Sequence, residues 1–216
     1  ITPYRLEGKY SDKRHPDEVK FAEKLEDDLA RRDFTVNAIA MKLAPQSVFS
    51  DTNLIDPFNG KKDLEAKLIR AVGSPQERFE EDALRIMRAV RLSAELGFEI
   101  EAETKKALKD RAHLLRIIAK ERIRDEFSKI LMSSRPSIGL ETARELGILK
   151  IFLPELEEGW GVGQNKHHIY TVWEHNLNSL DHAAKEKWPL VVRLSALFHD
   201  IGKPRAKMGD GPNSTF

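Results

Sequence analysis

The stretch from Ser74 to Gly97 constrains the fold more than any other part of this chain. Ser74-Pro75-Gln76-Glu77 combines an N-cap serine, a first-turn proline and a glutamate placed to return a hydrogen bond to the cap. Phe79, Ala83, Ile86, Met87, Val90 and Ala94 then recur at helical spacing, and Gly97 provides a natural stop. The spacing predicts one long helix whose apolar stripe has to be buried. Further helices are predicted over residues 103–114, 119–132 and 137–146. Pro154 with Gly159, Gly161 and Gly163 marks a boundary before another helical segment. Strand-like patterning is confined to the start. Residues 1–6 read as a short strand, 7–16 as a polar loop, and 36–43 with 48–49 as a hairpin around a turn containing Pro45. Asp56-Pro57-Phe58-Asn59-Gly60 is a turn cluster. The order is a small β part, a helical middle and a second helical unit, which is an α+β fold, predominantly helical.

Bulk properties exclude more than they identify. With no cysteine in 216 residues there is neither a disulfide framework nor a thiolate metal site. No long apolar run predicts a membrane helix, and no charged-then-apolar leader is present, so a cytoplasmic protein with no membrane partner is expected. A net charge of +1 does not by itself point to nucleic acid. Between Lys105 and Arg124 basic residues outnumber acids, a pattern that fits a phosphate backbone or a solvated helix face.

Asp82, Arg85 and Arg88 step by three residues along the predicted helix, on a face roughly opposite Ile86 and Val90, with Arg91 towards its edge. Such a series forms ordinary surface ion pairs, or it reads a base. A carboxylate accepts from an exocyclic amine while a guanidinium donates to the neighbouring ring acceptor. Cytosine and adenine present that pairing edge, whereas uracil and guanine present a carbonyl beside a ring N–H. An Asp82/Arg85 pair would accept C and A and leave polar groups unmatched against U and G. Arg88 and Arg91 are suited to phosphate.

Arg31-Arg32-Asp33-Phe34-Thr35-Val36-Asn37-Ala38 resembles the RRDxxxNA motif of class II tRNA nucleotidyltransferases and the related bacterial poly(A) polymerases. The run from Asp56 to Leu64 is similar to their following loop motif, and Glu81-Asp82-Ala83-Leu84-Arg85 to their EDxxR motif. Three motifs in order make the resemblance specific, and the likeness runs over nearly the whole chain. It implies that Arg32, Asp33 and Asn37 hold the incoming nucleotide and its ribose. It implies that Asp82 and Arg85 select the base without a template, and that Arg88 and Arg91 complete the pocket. The implied activity is addition of C and A from CTP and ATP to tRNA 3′ ends. CC-only or A-only addition and poly(A) synthesis are the nearest alternatives. The implied layout is the end of a nucleotidyltransferase palm (1–64), a helical neck that binds RNA (65–154), with residues 121–130 as scaffold, and the start of a helical HD domain (155–216).

The family's two catalytic Mg²⁺ ions are held by a D-x-D pair expected upstream of Ile1. Asp27-Asp28 would diverge in a strand and could not chelate together. The chain on its own is therefore expected to bind nucleotide poorly and to catalyse nothing. His175 and His199-Asp200, within WEHNL and HDIGKP, resemble the HD superfamily. That likeness implies a divalent transition-metal site, incomplete here, with His167, His168 and His182 in lesser roles. An HD-type phosphohydrolase with a regulatory nucleotide-binding half, or a non-catalytic RNA-binding remnant, stands as the alternative of a different class. Oligomeric state is not legible.

Overall fold

The structure, a computed structural model, describes residues 4–7, 19–42, 53–164, 169–209 and 215. It divides into two compact units, residues 1–89 with 98–114 and residues 90–97 with 115–216. These units cut across the three segments read from the sequence.

The first unit holds all three two-stranded sheets found among the described residues. β1 (Arg5–Glu7) pairs antiparallel with β2 (Val19–Phe21), and α1 (Leu25–Ala30) follows. A 3-10 turn at Thr35–Asn37 leads into β3 (Ala40–Met41), which pairs antiparallel with β4 (Leu54–Ile55). The hairpin expected from residue 36 is therefore shorter at its start. Asn37 and Ala38 donate back to Phe34 and Thr35, which turns the chain before the strand begins. Residues 43–52, with Pro45 and the expected partner strand 48–49, lie outside the described residues, as do 8–18. Asp27 and Asp28 lie on α1 rather than on a strand.

The turn cluster at Asp56 is built around its carboxylate, which accepts from the Gly60 and Lys61 amides at 2.7 and 2.9 Å. It starts α2 (Gly60–Ala66) in the manner of a cap. Only glycine fits at position 60, because a Cβ there would lie 2.2 Å from the Thr35 carbonyl oxygen. The Thr35 hydroxyl donates to buried Asp63 at 2.7 Å, and Arg70 donates to the same carboxylate. The RRDFTVNA segment is thus clamped onto α2 by a backbone approach and a buried polar contact. β5 (Leu68–Ile69) then runs parallel to β6 (Glu99–Ile100).

Between those strands the predicted long helix is two helices. α3 (Pro75–Glu81) starts as expected, with the Ser74 hydroxyl accepting from the Glu77 amide. It ends at Asp82, whose backbone is extended (φ −139°, ψ 103°), and α4 (Leu84–Leu96) begins two residues later. The cause is local competition. The Asp82 carboxylate accepts from the Leu84 amide at 3.0 Å, and its carbonyl accepts from Arg85 at 3.0 Å. An aspartate read as projecting from a continuous helix instead ends one helix and caps the next. The apolar stripe is buried as expected, with Phe79, Ala83, Ile86, Met87, Val90 and Ala94 at 0% exposure. Each large side chain so buried contributes about 1.5–3 kcal/mol. α5 (Ala102–Arg111) packs on α3 and passes into a 3-10 segment, Ala112–Ile117.

The second unit is helical: α6 (Lys120–Met132), α7 (Pro136–Glu145), α8 (Leu149–Phe152), α9 (Pro154–Glu157), α10 (Val172–Lys185), α11 (Leu190–Phe198) and α12 (Lys203–Ala206). α10 packs on α11 and α7, and α6 on α7 and α11. At Gly139 a Cβ would lie 2.6 Å from the Ile130 side chain and 3.1 Å from Ala94, so its absence sets how closely α7 approaches. Buried Arg193 donates to the carbonyls of Leu131, Ser133, Ala184 and Trp188. Those acceptors include chain ends of α6 and α10, where a cation complements the helix dipole. Burial lowers the Arg193 pKa from its ordinary value.

Candidate functional site

In the first unit, a cavity of about 500 Å³ is walled by Arg5, Asp28, Arg31, Arg32 and Asn37 against apolar residues that include Leu25 and Ile39. Its dimensions suit a nucleotide-sized ligand. Three arginines stand against a single carboxylate, so the ligand chemistry it favours is anionic. Of the residues expected to hold nucleotide, Arg32 and Asn37 line this cavity, and Asp33, Asp82, Arg85, Arg88 and Arg91 do not.

Those five are engaged within the protein. Asp33 is buried; its Oδ1 accepts from the Phe34 amide (3.0 Å) and the Asn37 side-chain amide (3.2 Å), and its Oδ2 from Arg88 Nε (2.6 Å). This carboxylate fixes the orientation of Asn37 from within the RRD segment. Arg85 is also buried, and binds Glu81 at 2.6 Å, the Arg78 carbonyl at 3.3 Å and the Arg31 carbonyl at 3.3 Å. The last bond ties the arginine of the EDxxR motif to the backbone of a cavity residue. Arg91 belongs to the second unit, where it meets Glu95 at 3.1 Å and buried Glu126 at 2.7 Å. The Glu126 approach is a charge contact without hydrogen-bond alignment.

From the sequence, Asp28 is weighed only as a metal ligand and has no part in the nucleotide site. It is 5% exposed and collects the Arg5 amide, Arg31 Nε and NH2, and Arg32 NH2 on its two oxygens at 2.6–3.1 Å. Burial raises its carboxyl pKa, and the hydrogen bonds from Arg31, Arg32 and the Arg5 amide outweigh that, so the value falls below the ordinary one. The signal in the sequence was the i, i+3 and i, i+4 spacing of Asp28 to two arginines.

In the second unit, His175 on α10 and His199-Asp200 at the end of α11 come together as read from the sequence. One ligand atom from each lies within 4.8 Å of the others. The two Nε2 atoms are 2.9 Å apart, and Asp200 Oδ2 is 3.6 Å from one and 3.5 Å from the other. His199 Nδ1 lies 2.9 Å from the Ala196 carbonyl, which can only accept, so in the neutral ring Nδ1 carries the proton and Nε2 the lone pair. A metal with bonds of about 2.1 Å separates neighbouring ligands by roughly 3–3.5 Å, so this donor set fits one divalent ion. Lys203, missed in the sequence reading, places its ammonium 2.7 Å from the same Asp200 oxygen and 2.9 Å from Gln164 Oε1. His182 stacks edge-on against Trp188; His167 and His168 lie outside the described residues. The described residues of the first unit do not fit a catalytic Mg²⁺ pair. The one cluster of three ligand-type side chains among the described residues is that of the second unit, and Asp28 is filled by arginine.

No helix among the described residues is long and apolar enough to cross a membrane. Residues 1–70 match the family described as poly A polymerase head domain, and residues 97–159 the family described as probable RNA and SrmB-binding site of polymerase A. The CCA-adding enzyme of Leuconostoc mesenteroides subsp. mesenteroides is 45% identical over 184 residues, covering 82% of this chain and 44% of that enzyme. The crystal structure of Bacillus stearothermophilus CCA-adding enzyme in complex with CTP superposes with a TM-score of 0.63 at 32% identity, over 94% of this chain and 44% of that one. A tRNA nucleotidyltransferase complexed with a primer tRNA and an incoming ATP analog gives 0.62 at 28%, over 82% and 50%. The chain thus spans about half the length of such relatives or less. On its two consecutive family matches, its relatives and its α+β fold, the chain belongs to the class II CCA-adding enzyme and poly(A) polymerase family.

Proposed function

We propose that this chain is the nucleotide-selecting part of a cytoplasmic, template-independent RNA nucleotidyltransferase that adds C and A from CTP and ATP to tRNA 3′ ends. The observation that carries the reading is the arginine-walled cavity on the RRD segment, with Arg85 bonded to the backbone of one of its wall residues. Arg32 and Asn37 contact the nucleotide in this account and Asp33 and Arg88 set their frame. Asp82 and Arg85, which do not line the cavity, are assigned the base edge on the EDxxR motif, with Arg85 joined to the wall through the Arg31 carbonyl. The account includes a palm end, a neck carrying RNA contacts and an HD start, with Mg²⁺ held by carboxylates that the described residues do not supply. The deciding experiment gives the full-length protein a tRNA lacking its 3′ end and labelled CTP, ATP, UTP and GTP. Incorporation of C and then A, followed by a stop, is expected; long A tails would make it a poly(A) polymerase, and incorporation of U or G would sink the reading.

A second reading is favoured by the histidine cluster. His175, His199 and Asp200 would hold one divalent transition metal, with Lys203 beside them. Such an ion supplies Lewis acidity to a phosphoester oxygen or to a water. Phosphodiesterase activity that needs added Ni²⁺ or Co²⁺ and disappears in His199→Ala supports it. Metal binding unaffected by that substitution would end it.

A further inference from the structure

Arg31 and Arg32 are adjacent cations on one cavity wall and repel each other unless something holds them. Asp28 does so from the preceding turn of α1. Arg31 gives it Nε and NH2, both on Oδ1, and Arg32 gives it NH2 on Oδ2. A guanidinium has five N–H donors, so Arg32 spends one of them on this bond, and its side chain remains 45% exposed. The carboxylate is buried and the guanidiniums are not, so the anchored end is the one remote from solvent. The Arg5 amide fills the remaining position on Oδ1, tying the end of β1 to the same group.

We infer that Asp28 is a positioning residue that holds Arg31 and Arg32 as one paired cation facing the polyphosphate of an incoming nucleotide. This rests on the cavity being the nucleotide site. A planar guanidinium binds phosphate oxygens through two parallel donors, a geometry sensitive to where its plane is held. A carboxylate that bonds two such planes at once fixes both. It does not touch the nucleotide and acts only through the arginines.

The test separates this role from general damage, because it reads a ratio. In the full-length protein, CTP and cytidine affinities are measured by calorimetry for wild type, Asp28→Asn and Asp27→Asn. Wild type is expected to bind CTP at least a hundredfold tighter than cytidine. Asp28→Asn is expected to cut that ratio at least tenfold while cytidine affinity stays within twofold, and Asp27→Asn to leave the ratio unchanged. An unaltered ratio in Asp28→Asn overturns the Asp28 role and leaves the cavity reading standing. A wild type that does not prefer CTP overturns both. Should Asp28→Asn not fold, Asp28→Glu decides. It keeps the charge but moves it by one methylene, and the ratio is expected to fall at least threefold at an unchanged melting temperature; an unchanged ratio overturns the proposal.

Discussion

Asp33 and Asp200 are both carboxylates singled out by the sequence, and their neighbours are of opposite kinds. Asp33 is met only by donors: an amide, the Asn37 NH2 and the Arg88 guanidinium. Asp200 shares its surroundings with two imidazole nitrogens, one of which presents a lone pair to the space its own oxygen faces. A carboxylate among donors is complete and serves as framework. Acceptors crowded within 4 Å need a cation, and Lys203 supplies a positive charge at that point. In the proposed reading the first unit would meet a ligand with a prearranged set of arginines, and the second would meet a metal ion with two imidazoles and a carboxylate. The same amino acid type is bonded by donors alone in one place and stands beside two imidazoles in the other.

The largest effect is expected in the frame of the second unit rather than at either site. Arg193→Met removes a donor from four backbone carbonyls, of which Leu131 and Ser133 lose buried bonds of 2.7 and 2.9 Å, while Ala184 keeps the Lys187 amide. Urea unfolding is expected to show a loss of roughly 3–5 kcal/mol; a loss below 1 kcal/mol would show that water replaces the guanidinium freely. Next is the coordination shell. His199→Ala is expected to weaken Co²⁺ or Ni²⁺ binding by about a hundredfold or more in titration calorimetry, with no change in CTP affinity. Equal metal affinity in wild type and variant would mean that the three side chains do not act together.

A smaller effect is expected at Asp33–Arg88. A double-mutant cycle of Asp33→Asn and Arg88→Gln should return a coupling of about 1 kcal/mol, since the carboxylate is buried but Arg88 is a third exposed. A coupling near zero would return Asp33 to the role of nucleotide ligand. The smallest effect is in pH dependence. Asp28 and Glu101 of the first unit have depressed pKa values. Burial raises each, and hydrogen bonds from arginines and the Arg5 amide, or from Thr104, outweigh it. A depressed carboxylate contributes stability that is full above its unfolded pKa, near about 4, and is lost as pH falls through the lower folded value. Stability should thus be level from neutral pH down to about 5 and fall below about 4. Asp28→Asn should make that acid limb shallower, and an unchanged limb would show that Asp28 ionises alike in both states.

What was legible in the sequence was what repeats or caps. The stripe from Phe79 to Ala94, the Ser74 cap, helices ending at Met132 and near Glu145, and the convergence of His175 with His199-Asp200 all follow from spacing or motif. The break at Asp82 was not legible, because periodicity continues across it. Its cause is one side-chain bond to Leu84 that a helical wheel cannot register. Arg85 and Arg88 were read as outward-facing, since their partners Glu81 and Asp33 compete with a ligand only once the chain is folded. Arg193 lies within an apolar run, and its four carbonyl partners come from separate helix ends and a turn, none of which has a sequence signature.

In the proposed function the side chains at the α3–α4 break choose the base. Asp82→Asn tests this most directly in the full-length protein, because asparagine keeps an oxygen to cap Leu84 while its other atom becomes a donor. A donor there matches the O4 carbonyl of uracil and mismatches the amine of cytosine. Single-turnover addition to tRNA lacking its 3′ end should show UTP use rising at least tenfold relative to CTP, with the melting temperature unchanged. UTP rejected by Asp82→Asn as firmly as by wild type would contradict the account.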